Sequence, residues 1–168
     1  MSLKDILPLR LKLMRGKYGI PADESAGMCR VSHGALLSWE EGIKCPRTDN
    51  LFNMAMAYGV SVDWLCGIGI SEYPSDAVEH AEWLSLPTRD EIRKAVALIG
   101  KELPDGKIDG YLDREKRRTL WPEWRADILA CLSYIKYLGT LEKTTRLQEK
   151  RGRAFGRKIW EILYSADF

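Results

Sequence analysis

The side chains of this 168-residue chain that could carry covalent or metal chemistry are few and ungrouped. Cys29, Cys45, Cys66 and Cys131 are scattered with no C-x-x-C pair, and His33 and His80 are the only histidines, so the ligand spacing of a structural zinc site is missing. No set of histidine, carboxylate and nucleophile, no phosphate-binding glycine loop and no metal motif occurs. The expectation is a protein that is not an enzyme, with no catalytic residue, cofactor or metal ligand to assign. What remains is the non-covalent chemistry of its cations. The net charge of +2 is uninformative alone, but residues 142–158 hold seven basic side chains (Lys143, Arg146, Lys150, Arg151, Arg153, Arg157, Lys158) against two acids, Glu142 and Glu149. Such a run is either a solvated helix face or a stripe that meets phosphates.

The elements that would position polar contacts are clearest near the N-terminus. Ile6 or Leu7, Leu11 and Met14 at helical spacing predict a first helix over about 3–18, started at Leu3 or, because of Pro8, at Leu7, and closed by Gly19. A second helix is predicted over about 22–29, with Asp23 and Glu24 at its positive end. Ser32 caps a third, which runs to about Glu41 and stops at Gly42. Within it Leu36, Trp39 and Glu40 share the buried side, which leaves His33, Gly34, Leu37 and Ser38 on the opposite face. Thr48 is the expected cap of a fourth helix carrying Leu51, Met54, Ala55 and Tyr58, and Ser61 that of a short fifth. Trp39 and Trp64 are expected in the core.

Gly19-Ile20, Ala26, Val31-Ser32, Leu36, Trp39-Glu40, Gly42, Pro46, Leu51, Ala55, Val60-Ser61 and Asp63-Trp64-Leu65 follow one another without a gap. Over about the first 67 residues this string resembles the Cro/C1-type (XRE) helix-turn-helix family of phage and bacterial repressors. The resemblance implies an all-α protein that opens with a five-helix, lambda-repressor-like DNA-binding domain. It implies that His33, Gly34, Leu37 and Ser38 face base edges in the major groove, and that Ser32, Lys44, Arg47 and position 22 lie on the sugar-phosphate backbone. Arg15 and Glu40 align with a buried structural ion pair. Three residues depart from the family pattern. Ala22 stands where a phosphate-holding glutamine is common, Pro21 replaces a Ser or Thr cap, and Ser25 occupies a usual leucine position. The reading face also lacks the Arg, Lys, Asn and Gln that make the strongest base contacts.

Residues 68–74, rich in Gly, Ser and Pro, are the expected linker between domains 1–67 and 75–168. Beyond it a short helix is predicted over about 75–84, then one from the capping box Thr88-Arg89-Asp90-Glu91 to about Leu103, ended by the turn Pro104-Asp105-Gly106. Pro122 opens a further helix with Trp124, Ile128, Cys131, Leu132, Ile135 and Leu138 on one stripe, ended by Gly139. A last helix spans about 141–165 with Phe155, Ile159, Ile162 and Leu163 on one side. Ile128, Leu132, Ile135, Phe155, Ile159 and Leu163 are assigned either to a homodimer interface or to packing inside one subunit. The β-rich, Ser/Lys-bearing domain of self-cleaving repressors has no counterpart here.

No apolar run reaches membrane-spanning length and the first residues lack the pattern of a secretory signal, so a cytoplasmic protein without a membrane partner is expected. The sequence is read as a regulator binding double-stranded DNA as a homodimer, most simply a prophage-type repressor acting by promoter occlusion. The alternative is a protein-interaction module on the same fold, an antirepressor or antitoxin-like regulator holding a second regulatory protein.

Overall fold

Asp5 accepts hydrogen bonds from the backbone N–H and the hydroxyl of Ser2 at 2.7 and 2.8 Å, and this local clasp starts the first helix at Leu3. The protein, a computed structural model, is described over residues 2–69 and 87–168 and divides into two compact units. The N-terminal unit holds α1 (Leu3–Tyr18), α2 (Ala22–Met28), α3 (His33–Glu40), α4 (Thr48–Tyr58) and α5 (Val62–Leu65). Pro8 therefore lies inside α1 rather than before it. Its missing N–H leaves the Lys4 carbonyl without an intrahelical partner. Gly42 fits against that carbonyl: a Cβ there would lie 3.1 Å from it, and its φ of +72° is one that a glycine adopts without strain. The end of α3 is thus fixed by both conformation and close approach to α1.

Gly19 and Gly59 take left-handed geometry after α1 and α4, and each sends its N–H back to the preceding turn. Ser32 and Ser61 accept from the amides of Ala35 and Trp64 at 3.2 and 3.0 Å, capping α3 and α5. Thr48 is not the cap of α4. It is the first helical residue, and Arg47 holds the cap position without any side-chain bond. Leu11, Met14, Leu36, Met54, Tyr58 and Leu65 close the core.

The C-terminal unit holds α6 (Arg89–Ala97), α7 (Asp105–Leu112), α8 (Arg114–Arg117), α9 (Pro122–Gly139) and α10 (Arg146–Ser165). Every regular element among the described residues is a helix. Most of the expected linker, from residue 70 on, and the helix expected over 75–84 lie outside the described residues. Three expectations are corrected. The capping box of Thr88 and Glu91 forms, with N···O distances of 3.0 and 3.2 Å, but α6 stops at Ala97, and Gly100 turns the chain with φ +67°. The sequence Pro104-Asp105-Gly106 is the start of α7 and not a turn, with Pro104 in the cap position. The last helix begins at Arg146, where Thr145 and Gln148 form a capping box, instead of near 141.

Helices α9 and α10 pair as an antiparallel hairpin. Asp127 meets Lys158 at 3.0 Å and the Tyr134 hydroxyl accepts from Arg151 at 2.9 Å, so positions rise along one helix as they fall along the other, and Leu138 near the hairpin's closed end lies over Gly152. Tyr134 and Phe155 meet edge to face with centroids 5.2 Å apart. Gly156 brings α10 onto the Ala95 carbonyl of α6, and Gly110 of α7 lies on the Phe168 ring. The six residues proposed for a dimer interface are placed by this packing. Ile128, Leu132, Phe155, Ile159 and Leu163 are buried in their own subunit, and Ile135 is half-buried. Their apolar stripes are used by the α9/α10 hairpin and α6, so five of the six are not available on the folded surface.

Candidate nucleic-acid interface

The chain reverses between α2 and α3 through residues 29–32, and Arg30 makes that turn with φ +59°. A non-glycine residue in this region costs about 1 kcal/mol, and no glycine announces the turn in the sequence. The turn presents the N-terminus of α3, whose outward residues His33 and Gly34 are exposed while Leu37 and Ser38 are half-buried. Ser38 also accepts the Ile43 amide through its backbone carbonyl at 2.9 Å, which ties the loop after α3 to that helix. Leu36, Trp39 and Glu40 are buried, as helical spacing requires.

Behind α3, Glu40 accepts from Arg15 Nε and Nη2 at 2.8 and 2.9 Å. The Glu40 side chain is 2% exposed and that of Arg15 26%. The two parallel bonds fix the angle of α3 against α1, and the bond to Glu40 pushes the Arg15 guanidinium above its ordinary pKa. Ser25, out of pattern at the sequence level, is explained here. Its hydroxyl is hydrogen-bonded to the Tyr58 hydroxyl in the core, a bond that a leucine could not make. Burial pushes Tyr58 well above its usual pKa and Cys29 beside it up to about 12. Trp39 and Trp64 are buried, and Arg10 stacks on Trp64 at 4.5 Å from the ring centroid.

Of the four residues expected on the sugar-phosphate backbone, three are exposed. Ser32, Lys44 and Arg47 are at the surface and Ala22 is half-buried at the start of α2. Neither Pro21 nor Arg47 caps its helix with a side-chain hydrogen bond. Lys44 and Arg47 are close in sequence to the α4 terminus, and the structure gives neither an ion-pair partner among the described residues. The arrangement is a short helix with one buried and one outward face, braced on α1 and followed in the chain by two exposed cations.

The helix-turn-helix family model matches residues 11–65. The N-terminal domain is a Cro/C1-type helix-turn-helix domain. The match runs from Leu11 in α1 to Leu65 in α5 and contains the turn, α3 and the Arg15–Glu40 pair. No curated protein and no solved structure matches the chain. The match supports DNA binding by the N-terminal domain. No group of three or more metal-ligating side chains occurs among the described residues, and no described helix is long and apolar enough to cross a membrane.

The thiols of both units are graded by burial. Burial pushes Cys29 and Cys131 up to about 12 and raises Cys66 less, while Cys45 is exposed. At pH 8 an alkylating reagent followed by mass spectrometry is therefore expected to label Cys45 first and to spare Cys29 and Cys131 until unfolding. Labelling of Cys29 in the folded protein would count against this packing. The same shift has a sign for stability. Both thiols stay protonated in the folded state while unfolded thiols ionise near their ordinary 9.0, so stability is full below about pH 9 and falls towards pH 12.

Proposed function

We propose that the protein is a prophage-type transcriptional repressor that binds its operator as a homodimer and occludes a promoter. The observation that carries this is the outward face of α3, with His33 and Gly34 exposed and Leu37 and Ser38 half-buried, held by the Arg15–Glu40 pair and followed in the chain by the exposed cations Lys44 and Arg47. An eight-residue helix is about 12 Å long and reads only a few base pairs. A two-fold pair of such helices spans two half-sites about one helical turn apart, which gives the specificity a single copy lacks.

In this reading Lys44, Arg47, Ser32 and the helix termini supply phosphate contacts. His33 and Ser38 exchange hydrogen bonds with base edges, Leu37 packs on a thymine methyl, and Gly34 allows close approach. Ala22 brings no side-chain hydrogen bond to the phosphate beside it. Replacing Arg47 by alanine should weaken binding to specific and unrelated duplexes alike and reduce the slope of log K against log salt by about 0.9. Electrophoretic mobility shifts across a salt series measure this, and an unchanged slope rules out the phosphate contact. The second reading, a protein-interaction module, is favoured by one observation: no Arg, Lys, Asn or Gln lies from Val31 to Glu41. Loss of a protein partner, with DNA binding unaffected, on changing Leu37 to aspartate would select it.

A further inference from the structure

The cations of this protein are not concentrated where its DNA-binding domain is. Residues 2–69 hold eight Lys and Arg against seven Asp and Glu, whereas residues 87–168 hold eighteen against thirteen. The excess of the C-terminal unit gathers on α10. Two of the basic side chains there serve the subunit itself: Arg151 donates to the Tyr134 hydroxyl and Lys158 pairs with Asp127, which is 4% exposed. Arg146, Lys150, Arg153 and Arg157 do not. They are exposed, and no hydrogen bond or ion pair to another described residue is seen for them.

Their spacing of four, three and four residues places them on one side of the helix, within an arc of about 60° at 3.6 residues per turn. Gly152, Phe155, Gly156, Ile159 and Leu163 occupy the opposite side and are buried. Gly156 lies on the Ala95 carbonyl and a Cβ at Gly152 would stand 2.7 Å from Leu138 Cδ1, so the inner side of α10 is seated directly on α6 and α9. The basic side is therefore carried on a rigid support and not on a tail. From Arg146 to Arg157 it extends about 16 Å. The same length of duplex axis carries about ten phosphate charges.

We propose that this face of α10, extended by the exposed Lys143 in the preceding loop, is a second contact for the phosphate backbone of double-stranded DNA. It reads no bases. It supplies electrostatic affinity that the nearly neutral helix-turn-helix domain lacks, and it rests on duplex DNA being the partner of the chain. Charge complementarity selects this occupant: four unpaired cations in one arc, with the acid Glu149 at its edge, match a line of phosphates. Guanidinium groups at three of the four positions suit phosphate geometry.

The test uses the full chain and a 20-base-pair duplex of arbitrary sequence, with affinity measured by anisotropy between 50 and 200 mM salt. The variant carrying Arg146→Gln, Lys150→Gln, Arg153→Gln and Arg157→Gln keeps good helix formers at exposed positions, so α10 stays folded, which circular dichroism checks. Its slope of log K against log salt is expected to be smaller by about 3 to 4 than that of the unaltered protein. A charge-conserving variant, with Arg146→Lys, Arg153→Lys and Arg157→Lys, is expected to keep the original slope. An unchanged slope in the glutamine variant overturns the proposal, as does retention of phosphatidylglycerol vesicles through the same four residues with the DNA slope unaltered. Lys44→Ala with Arg47→Ala in the same assay separates the two readings. If that pair leaves the slope unchanged while the glutamine variant lowers it, the helix-turn-helix contact fails and the α10 contact stands. The converse pattern removes only the α10 contact.

Discussion

Replacing Arg15 by alanine is expected to destabilise the helix-turn-helix domain by about 3 kcal/mol, although Arg15 is itself a quarter exposed. The cost arises at Glu40. Its side chain is 2% exposed and takes two bonds from Arg15, so removing the guanidinium leaves a buried carboxylate with its principal partner gone. Because the pair also sets the angle of α3 on α1, DNA affinity should fall at temperatures where the domain is still folded. The double variant, Arg15→Met with Glu40→Met, is expected to recover most of the stability, since two apolar side chains of similar reach replace a pair whose desolvation already offsets much of its attraction. Hydrogen exchange in α1 and α3 as a function of urea reads the difference for this domain alone. A single variant as stable as the double would show that Glu40 does not depend on Arg15.

In the C-terminal unit, Gly156→Ala is expected to lower stability by about 2 kcal/mol, against the usual direction of such a change. In a helix interior, alanine is favoured over glycine by about 1 kcal/mol. At Gly156 the added Cβ runs into the backbone carbonyl oxygen of Ala95, which cannot turn aside without moving α6. Gly152, one turn earlier on the same face, supplies the comparison. There the nearest atom is Leu138 Cδ1 at 2.7 Å, the free end of a flexible side chain, and the half-buried Leu138 can rotate away. Gly152→Ala should therefore be neutral within about 1 kcal/mol or slightly stabilising. Thermal unfolding of the two variants decides it, and equal shifts for both would contradict the close seating of α10 on α6.

The N-terminal domain was legible because its punctuation is local. Gly19 and Gly42 end the helices they were expected to end, each with left-handed backbone, and Ser32 and Ser61 make the bonds a cap residue makes. The Arg30 turn was not legible, since arginine carries no signal for that geometry. The C-terminal errors share a cause. Helix α7 contains Gly106 and Gly110 and reads locally as a turn. It is held by tertiary contacts, the burial of Ile108 and Tyr111 and the fit of Gly110 to Phe168, which no window of sequence displays. Gly100 was a stop signal overlooked because Leu98, Ile99 and Leu103 prolong the apolar pattern. The apolar stripes of α9 and α10 were correctly seen, but periodicity says only that a face is covered and not by what. Five of the six residues offered to a second subunit cover each other instead. The candidate reading face was placed by the same periodicity, and its exposure follows from the burial of Leu36, Trp39 and Glu40.

The most direct measurement is fluorescence anisotropy of the purified protein against fragments from upstream of its own gene and against unrelated DNA, each at two salt concentrations. A specific repressor predicts tight, competitor-resistant binding to one upstream fragment with a steep salt slope, lost when His33, Leu37 and Ser38 are replaced together. Weak binding that is equal for all fragments and indifferent to those three replacements would contradict it.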